Sequence, residues 1–320
     1  MHRKVNVGRT IYMICPNGAN PNDMYRSDGT EGILRNELIK KTGLDVVFIS
    51  GSQCAQMKDV AAIISDEFDP QIQSALRAYP RELCFLLVFE PPIIMPHAYH
   101  PDAAKTFGKI FIPSDDFIDN QHFFKMCYPS CMRMMDIPDF DLKKFCCLIN
   151  NDKHNRFTGY ELYSERRKII SFLLEATPEF DLYGDWKGIP RCKGLAVDKL
   201  NIIKHYKFSI SYENMTNQRG YISEKIHHSI GGGCVPVYLG ATNVTDYIPK
   251  ECFIDRRDFS SEQQLYNFLR SIDRKTFYDY LDAHQKYMNG PQSKLFTVQY
   301  NVQIVLDHIL KSIQNSQETS

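Results

Sequence analysis

The densest group of chemically useful side chains lies between Glu213 and Lys225, where the chain carries two carboxylates, a lysine, a tyrosine and two asparagines. Two predicted strands enclose this segment. Residues Tyr206 to Tyr212 alternate between apolar and polar types with the period of two that is typical of a half-buried strand, and Cys234 to Leu239 form the next strand. Between the strands, the isoleucine spacing predicts a helix that begins near Tyr221 and ends at Gly231 to Gly233.

A strand, a helix and a strand in this order predict a βαβ unit with two parallel strands. Open parallel sheets bind their ligands at the carboxyl ends of the strands. The polar segment Glu213 to Lys225 therefore lies where a nucleotide or another anion would bind. The glycines Gly231 to Gly233 do not form a dinucleotide-binding fingerprint, because they close a helix before a strand and that fingerprint has the opposite order.

Composition limits the classes of protein to consider. The chain has 320 residues and 43% hydrophobic content, which predicts a substantial core and two domains. It has 38 basic and 38 acidic residues, so it lacks the basic excess of a dedicated nucleic-acid binder and any anion site must be local. The longest apolar run, Leu83 to Phe89, is far shorter than the ~20 residues of a membrane helix. We expect a cytoplasmic protein, a protein peripheral to a membrane, or the soluble portion of a longer chain.

Strand and helix patterns alternate in both halves of the chain, which is typical of α/β domains. In the first half the predicted strands are Thr10 to Cys15, Asp45 to Ser50, Leu83 to Phe89 and Lys109 to Ile112. In the second half we predict a strand over Lys144 to Ile149, a helix over Glu161 to Glu175, a strand over Phe180 to Tyr183 and a terminal helix within Lys294 to Ile313. The predicted domains are residues 1–143 and 144–320, and packing of the terminal helix against the first domain is an open alternative.

Cysteine and histidine residues offer a weaker alternative chemistry. Several of the ten cysteines lie in or beside apolar runs, which predicts free thiols. Cys127 and Cys131, near His122, have the residue types of a zinc site but lack a second matched pair. His227 and His228 are adjacent on the predicted helix and point about 100° apart, so we expect structural roles for them.

The segment Tyr206 to Gly240 resembles the signature of glycosyltransferase family 10, the α1,3/1,4-fucosyltransferases. The family pattern is approximately YKFxLxFEN, then Y-[IV]-T-E-K, then VPVxLG, and this chain has YKFSISYEN, YISEK and VPVYLG in the same order. Tyr212 replaces a phenylalanine and Ser223 a threonine, changes that keep size or a hydroxyl group. The resemblance implies an α/β fold of the GT-B type, in which two Rossmann-like α/β domains face each other across a cleft. The acceptor would bind residues 1–143, and GDP-fucose would bind residues 144–320.

The resemblance also implies a role for each matching residue on the donor side. The implied contacts are Glu224 with the ribose, Lys225 and Arg166 with the diphosphate, Tyr221 with the nucleotide sugar, and Asn214 and Glu213 with the sugar or their own loop. Arg167 is the alternative to Arg166, because the alignment leaves a shift of one residue open. With these cations stabilising the departing GDP, no cofactor is required and a divalent metal is at most stimulatory.

A general base is expected in the first domain. Glu90 follows the apolar run Leu83 to Phe89 and precedes Pro91 and Pro92, which end regular strand pairing. The resemblance assigns the base to this carboxylate, and His97 and His100 are the competing bases.

The expected reaction is an inverting transfer of L-fucose from GDP-β-L-fucose to a hydroxyl of an N-acetylglucosamine-containing glycan, with an α1,3 linkage. The expected partners are therefore GDP-fucose and a glycan acceptor, with no nucleic acid. Two alternatives remain at this point: a GT-B enzyme that uses another nucleotide sugar, and a catalytically silent protein that binds a nucleotide sugar. Peripheral association with a membrane is compatible with either.

Overall fold

The structure is a computed structural model that describes residues 8–15, 19–25, 29–154, 159–189 and 191–318. Internal contacts divide the chain into two compact units. The first unit contains the described residues up to Cys127 together with those from Val298 onward, and the second unit is Tyr128–Thr297. Each unit contains one parallel β-sheet. Among the described residues, no helix combines the length and apolar character that crossing a bilayer demands.

The strands in chain order are β1 (Thr10–Ile14), β2 (Asp45–Ile49), β3 (Val60–Ser65), β4 (Cys84–Leu87), β5 (Lys109–Ile112), β6 (Phe123–Lys125), β7 (Lys144–Ile149), β8 (Phe180–Tyr183), β9 (Tyr206–Tyr212), β10 (Val235–Leu239) and β11 (Ile254–Asp255). The helices are α1 (Pro21–Met24), α2 (Thr30–Thr42), α3 (Pro70–Leu76), α4 (Ala103–Thr106), α5 (Tyr163–Ala176), α6 (Lys199–Ile203), α7 (Glu224–Gly231), α8 (Glu262–Ser271), α9 (Arg274–Met288), α10 (Pro291–Lys294) and α11 (Val298–Glu318). Short 3-10 turns connect several of these elements.

The sheet of the first unit has the strand order β2-β1-β3-β4-β5-β6, and its neighbouring strands pair in parallel. Every residue of β4 is buried, as expected for a parallel strand that is covered on both faces. Helices α2 and α11 share one hydrophobic cluster in this unit, in which Leu34 and Leu38 accompany Leu306 and Ile309. The terminal helix thus packs within the first unit.

The division between the units falls at residues 127 and 128, which differs from the predicted boundary between 143 and 144. Residues 128–143 contain no long strand or helix, but their contacts make them part of the second unit. The Met135 amide donates a hydrogen bond to the Gly231 carbonyl at 2.8 Å, and Ile137 lies so close to Gly233 that a Cβ there would be 2.5 Å from Ile137 Cγ2. Gly233 also has a φ of +60°, which favours glycine on its own account.

The sheet of the second unit has the order β11-β10-β9-β7-β8 with parallel pairing throughout. Strand β9 lies in the middle, and all its residues except Lys207 are buried. The prediction of a half-buried strand was therefore wrong. Ser209 and Ser211 alternate with apolar residues yet are buried, and the Ser211 hydroxyl is 2.9 Å from that of Ser229 on α7, so a side-chain hydrogen bond satisfies a polar group on the second covered face.

Helix α7 begins at Glu224, three residues after the predicted start, and Ser223 is its N-cap residue with extended backbone angles. Tyr221 and Ile222 belong to the preceding loop, although Ile222 is fully buried. The later start matters for the site because it puts Glu224 at the first helical position, where the helix dipole favours a carboxylate.

Lys143 is a buried cation whose loss we expect to destabilise the second unit. Its ammonium donates to the carbonyls of Gly233 at 2.9 Å, Tyr206 at 3.2 Å and Lys204, and burial lowers its pKa to about 8. Lys143→Met should lower the free energy of unfolding by about 2–4 kcal/mol, because the carbonyls lose their donor inside the protein. Lys144→Met is the matched control: that side chain is 57% exposed and pairs with Asp181, so about 1 kcal/mol or less is expected in urea unfolding. Equal losses for the two variants would contradict the prediction.

Candidate active site

Three neighbouring strands of the second unit are each followed by an asparagine. Asn150 follows β7, Asn214 lies just after β9, and Asn243 lies in the turn after β10. Because the strands are parallel, all three belong to the carboxyl edge of the sheet. The Asn243 side chain accepts a hydrogen bond from the Gly220 amide at 2.8 Å and thereby fixes the loop between β9 and α7.

Arg166 connects two of these strand ends. It lies in the first turn of α5 and is 1% exposed. Its guanidinium donates to Oδ1 of Asn150 at 3.2 Å, to Oδ1 of Asn214 at 3.0 Å and to the Tyr212 carbonyl at 2.7 Å. Burial lowers its pKa, and nearby acidic groups, Glu213 first, oppose that effect. A positive charge is thus fixed at the carboxyl edge of the sheet by three protein acceptors.

Arg167 has a different environment. Its side chain is 32% exposed and donates to Asp152 at 2.7 and 3.0 Å and to the Lys153 carbonyl at 2.6 Å. Within the described part of the chain, it makes no hydrogen bond or ion pair to the ends of β9 or β10. The structure therefore brings Arg166, rather than Arg167, together with Asn214 and the loop before α7.

Glu213 forms a compact polar network with Ser223 and Lys225 at the start of α7. Its side chain is fully buried, and it accepts hydrogen bonds from the Ser223 amide at 2.7 Å and the Ser223 hydroxyl at 2.6 Å. The Lys225 ammonium lies 3.2 Å from the same carboxylate and 2.9 Å from the Ser223 hydroxyl. Both Glu213 oxygens are thus occupied by protein donors.

Glu224 and Lys225 lie at the start of α7 and stay partly accessible, with side-chain exposures of 22% and 18%. Burial alone would raise the pKa of Glu224, but Lys225, Lys199 and His228 outweigh it and lower that pKa to about 2. Lys199 Nζ lies 3.8 Å from the Glu224 carboxylate. Glu224 is therefore ionised at neutral pH, and a carboxylate of this kind can accept hydrogen bonds from vicinal hydroxyls.

The loop before α7 buries Tyr221, which is 1% exposed. The loop turns sharply, with positive φ values at Asn217 (57°) and Gly220 (74°), and the Tyr221 amide donates to the Gln218 carbonyl at 3.3 Å. Tyr221 is thus a buried residue of the loop that leads to Ser223 and to Glu224, the first residue of α7.

Glu90 belongs to the first unit and lies three residues beyond the end of β4. It is half-buried, and its carbonyl accepts a hydrogen bond from the Tyr99 hydroxyl at 2.9 Å. The strand ends at Leu87, earlier than predicted, so Glu90 lies in an irregular segment. The competing bases His97 and His100 are exposed, and His100 Nδ1 is 3.4 Å from Asp102.

The alternative metal chemistry finds no support in the described residues, which contain no group of three or more His, Cys, Asp or Glu side chains placed to hold a metal ion. Cys127 and Cys131 are free thiols, the first buried and the second exposed. His227 is fully buried with Nε2 2.9 Å from the Tyr287 hydroxyl, and burial lowers its pKa to about 3. Its burial and its contact with Tyr287 agree with the structural role predicted for it.

A comparison with protein families matches residues 150–318 to the C-terminal part of glycosyltransferase family 10 (fucosyltransferase). The match covers more than half of the chain. The chain belongs to glycosyltransferase family 10. The matched part of this family 10 protein includes every residue predicted to bind the donor, from Arg166 to Lys225, whereas Glu90 lies outside it.

Curated relatives of this family 10 protein align over short regions. The alpha-(1,4)-fucosyltransferase of Arabidopsis thaliana is 37% identical over 70 residues, which is 22% of this chain and 17% of the relative. The 4-galactosyl-N-acetylglucosaminide 3-alpha-L-fucosyltransferase 9 of Cricetulus griseus is 35% identical over 137 residues, or 41% of this chain and 34% of the relative. The alignments thus span at most about a third of either relative.

Solved structures resemble the family 10 protein over nearly its whole length. A crystal structure of an alpha1,3-fucosyltransferase with GDP superposes with a TM-score of 0.62 at 13% identity, covering 98% of this chain and 92% of that one. Anabaena HepE in complex with UDP and glucose gives 0.58 at 11% identity, covering 95% and 100%. At these identities the likeness concerns the fold, which is the mixed α/β architecture of the GT-B glycosyltransferases.

Sequence reasoning on this family 10 protein missed four residues of the site, namely Asn150, Lys199, Ser223 as a network member, and Asn243. Asn150 and Asn243 could have been predicted from the sequence, because each is polar and follows a predicted strand. Lys199 lies before the motif and precedes Glu224 by 25 residues (224 − 199), so only the folded chain brings the two side chains together.

Proposed function

We propose that this protein is an inverting fucosyltransferase that moves L-fucose from GDP-β-L-fucose to a hydroxyl of an N-acetylglucosamine-containing glycan, with an α1,3 linkage. One observation carries the proposal. Glu224 and Lys225, at the start of α7, keep 22% and 18% of their side-chain surface exposed, and they lie at the same carboxyl edge of the sheet as the buried cation Arg166. A carboxylate for hydroxyls beside cations for phosphates is the donor set that a nucleoside diphosphate sugar needs.

Each donor-side residue has a proposed task. Glu224 accepts hydrogen bonds from the ribose hydroxyls, and Lys225 and Arg166 stabilise the diphosphate. Tyr221 and Asn214 support the nucleotide sugar through the loop that they hold. The relatives' names support fucose as the sugar and a galactosyl-N-acetylglucosamine unit as the acceptor, and the GDP in the similar crystal structure supports guanine as the base.

The proposed reaction is a single displacement. Glu90 takes the proton of the acceptor hydroxyl while the hydroxyl oxygen attacks the anomeric carbon. The bond between that carbon and the β-phosphate oxygen breaks, GDP departs with the bonding electrons, and the β-linked donor becomes an α-linked product. Arg166 and Lys225 stabilise the growing negative charge on GDP, so the proposal includes no essential metal.

Recognition of the ribose by Glu224 leads to a measurable selectivity. The wild type should bind GDP about tenfold more tightly than 2′-deoxy-GDP, because the deoxy analogue leaves the ionised Glu224 carboxylate without one donor. Glu224→Gln should weaken GDP binding and reduce this preference to about twofold, as measured by calorimetry. Gln263→Glu, on the exposed face of α8, is a control for a carboxylate exchange outside the site and should change neither value. An unchanged preference in Glu224→Gln would contradict the ribose contact.

The main alternative is a GT-B enzyme that uses another nucleotide sugar, which the similarity in fold to HepE with UDP and glucose favours. A panel of GDP-fucose, GDP-mannose and UDP-glucose with galactosyl-N-acetylglucosamine acceptors separates the cases when nucleotide release and product mass are both followed. We expect a fucosylated product from GDP-fucose alone. Product from another donor would replace the proposal, and GDP binding without any product would favour a silent nucleotide-sugar-binding protein.

A further inference from the structure

The Glu213 carboxylate is enclosed by protein. Its side chain has no exposed area, and its two oxygens accept from the Ser223 amide, the Ser223 hydroxyl and the Lys225 ammonium at 2.6 to 3.2 Å. These donors use three of the roughly four lone-pair sites of the carboxylate, and its complete burial leaves a sugar hydroxyl no access to the remaining one. This separates Glu213 from Glu224, whose side chain is 22% exposed.

The wall beside Glu213 is built to fit it. The Glu213 amide donates to the Leu239 carbonyl at the end of β10, which brings Gly240 against the side chain. A Cβ on Gly240 would lie 2.5 Å from Glu213 Cγ and 2.5 Å from the Tyr238 hydroxyl oxygen. Glycine at this position therefore makes room for the Glu213 side chain, and no ligand has room to enter from this direction.

Lys225 is held on one side only. Two of its three N–H donors are directed to Glu213 and Ser223, and the described residues provide no third acceptor for it. Because 18% of the side chain is exposed, the third N–H remains available to a ligand oxygen. The Glu213–Ser223–Lys225 triangle fixes a long, flexible ammonium side chain that would otherwise lose rotamer entropy on binding a phosphate.

We infer that Glu213 is a positioning residue that holds the Lys225 ammonium ready for a diphosphate and does not touch the donor itself. The inference rests on the proposed function, since it assumes that Lys225 binds the diphosphate. Of the two roles that the sequence left open for Glu213, a contact with the sugar and hydrogen bonds within its own loop, the inference favours the second. The ion pair also keeps the buried carboxylate from being left as an uncompensated charge.

If Glu213 loses its charge, the electrostatic effect alone predicts tighter diphosphate binding, whereas loss of its positioning role predicts weaker binding. Glu213→Gln removes a negative charge near the phosphates, which alone would strengthen diphosphate binding. It also places an amide NH2 against N–H and ammonium donors, so the triangle opens and Lys225 becomes mobile. If positioning dominates, diphosphate affinity falls.

The test compares guanosine, GDP and GDP-fucose as ligands of the wild type, Glu213→Gln, Lys225→Met and the double variant. Glu213→Gln should raise the Kd of GDP and of GDP-fucose by the same factor, about 10- to 100-fold, and that of guanosine by less than about threefold. In the Lys225→Met background the same substitution should add less than about twofold for GDP, because its effect passes through the ammonium. Ser223→Ala, which keeps the backbone donor and Glu213, is a milder second variant that should show the same ligand pattern with about a two- to fivefold loss.

Several results would overturn the positioning role while GDP binding to the wild type stands. The first is tighter GDP binding by Glu213→Gln, and the second is a loss of affinity confined to GDP-fucose. The third is a loss of guanosine affinity equal to that of GDP in folded Glu213→Gln and Ser223→Ala. The fourth is full additivity of the two substitutions in the GDP affinity of the double variant. A wild-type protein that binds none of the three ligands would overturn the proposed function and the inference together. Circular dichroism and thermal unfolding confirm that each variant is folded before its affinities are compared.

Discussion

Glu90→Gln is expected to lower the rate of fucosyl transfer by about 100- to 10,000-fold while leaving the Kd of GDP within about twofold of the wild type. The amide keeps the size of the side chain but cannot accept the proton of the acceptor hydroxyl. Glu90 is half-buried at the surface of the first unit, and its backbone carbonyl, which the substitution retains, holds the Tyr99 hydroxyl. The fold should therefore tolerate the change.

The measurement is single-turnover transfer from GDP-fucose, with GDP affinity measured in parallel. His97→Gln and His100→Gln are matched controls, because both histidines are exposed and lie within the same stretch of the first unit. We expect transfer within about threefold of the wild type for each. An active Glu90→Gln enzyme would refute the assignment of the base, and an inactive His100→Gln or His97→Gln enzyme would reassign it to that histidine.

Arg166→Met is expected to raise the Kd of GDP by about tenfold to more than a hundredfold, or about 1.5–3 kcal/mol, because it removes a positive charge that stabilises the diphosphate. The same change leaves the Tyr212 carbonyl and the side-chain oxygens of Asn150 and Asn214 without their donor, so the protein should also lose stability. Arg166→Lys keeps the charge but cannot reach both strand ends, and we expect an intermediate loss of affinity.

Arg167→Met is the control for this prediction. Its guanidinium is partly exposed and bound to Asp152 and Lys153, so GDP affinity should change by less than about twofold and stability by less than about 1 kcal/mol. The Kd of GDP is measured by calorimetric titration at 10 °C, because the low temperature keeps destabilised variants folded. A large loss of affinity in Arg167→Met with a normal Arg166→Lys would show that the alignment is displaced by one residue.

The parts of the fold that were predictable have strong local patterns. Lys144–Ile149, Phe180–Tyr183 and Lys109–Ile112 are strands with the predicted bounds, because each is a short apolar run between polar turns. Strand β3 was missed, although Val60–Ser65 is apolar, since nothing in its short run separates a buried strand from a buried helical turn. The alternation in β9 was read as half-buried because sequence does not reveal that α7 supplies a hydrogen-bond partner for Ser211.

In the candidate site, too, the features that depend on neighbouring residues in sequence were predictable, and those that depend on distant residues were not. One continuous motif, whose order and spacing match the family pattern, was enough to predict Glu224, Lys225 and Tyr221 as site residues. The motif alone could not predict which of its side chains face a ligand. Whether a carboxylate faces a ligand or the interior depends on the neighbours that enclose it, and for Glu213 those neighbours are Ser223 and the wall formed by Gly240.

By itself, the sequence determined the family, the α/β class and the segment in which we predict the donor chemistry, because these are encoded in short-range periodicity and in residues close together along the chain. Only the tertiary structure decided that Arg166 ties together the ends of β7 and β9, that Lys199 lies beside Glu224, and that the Glu213 carboxylate is enclosed with Ser223 and Lys225. Burial and hydrogen bonding between distant residues arise only when the strands pack into one sheet, and they set whether a charged group is free to bind or is held by the protein.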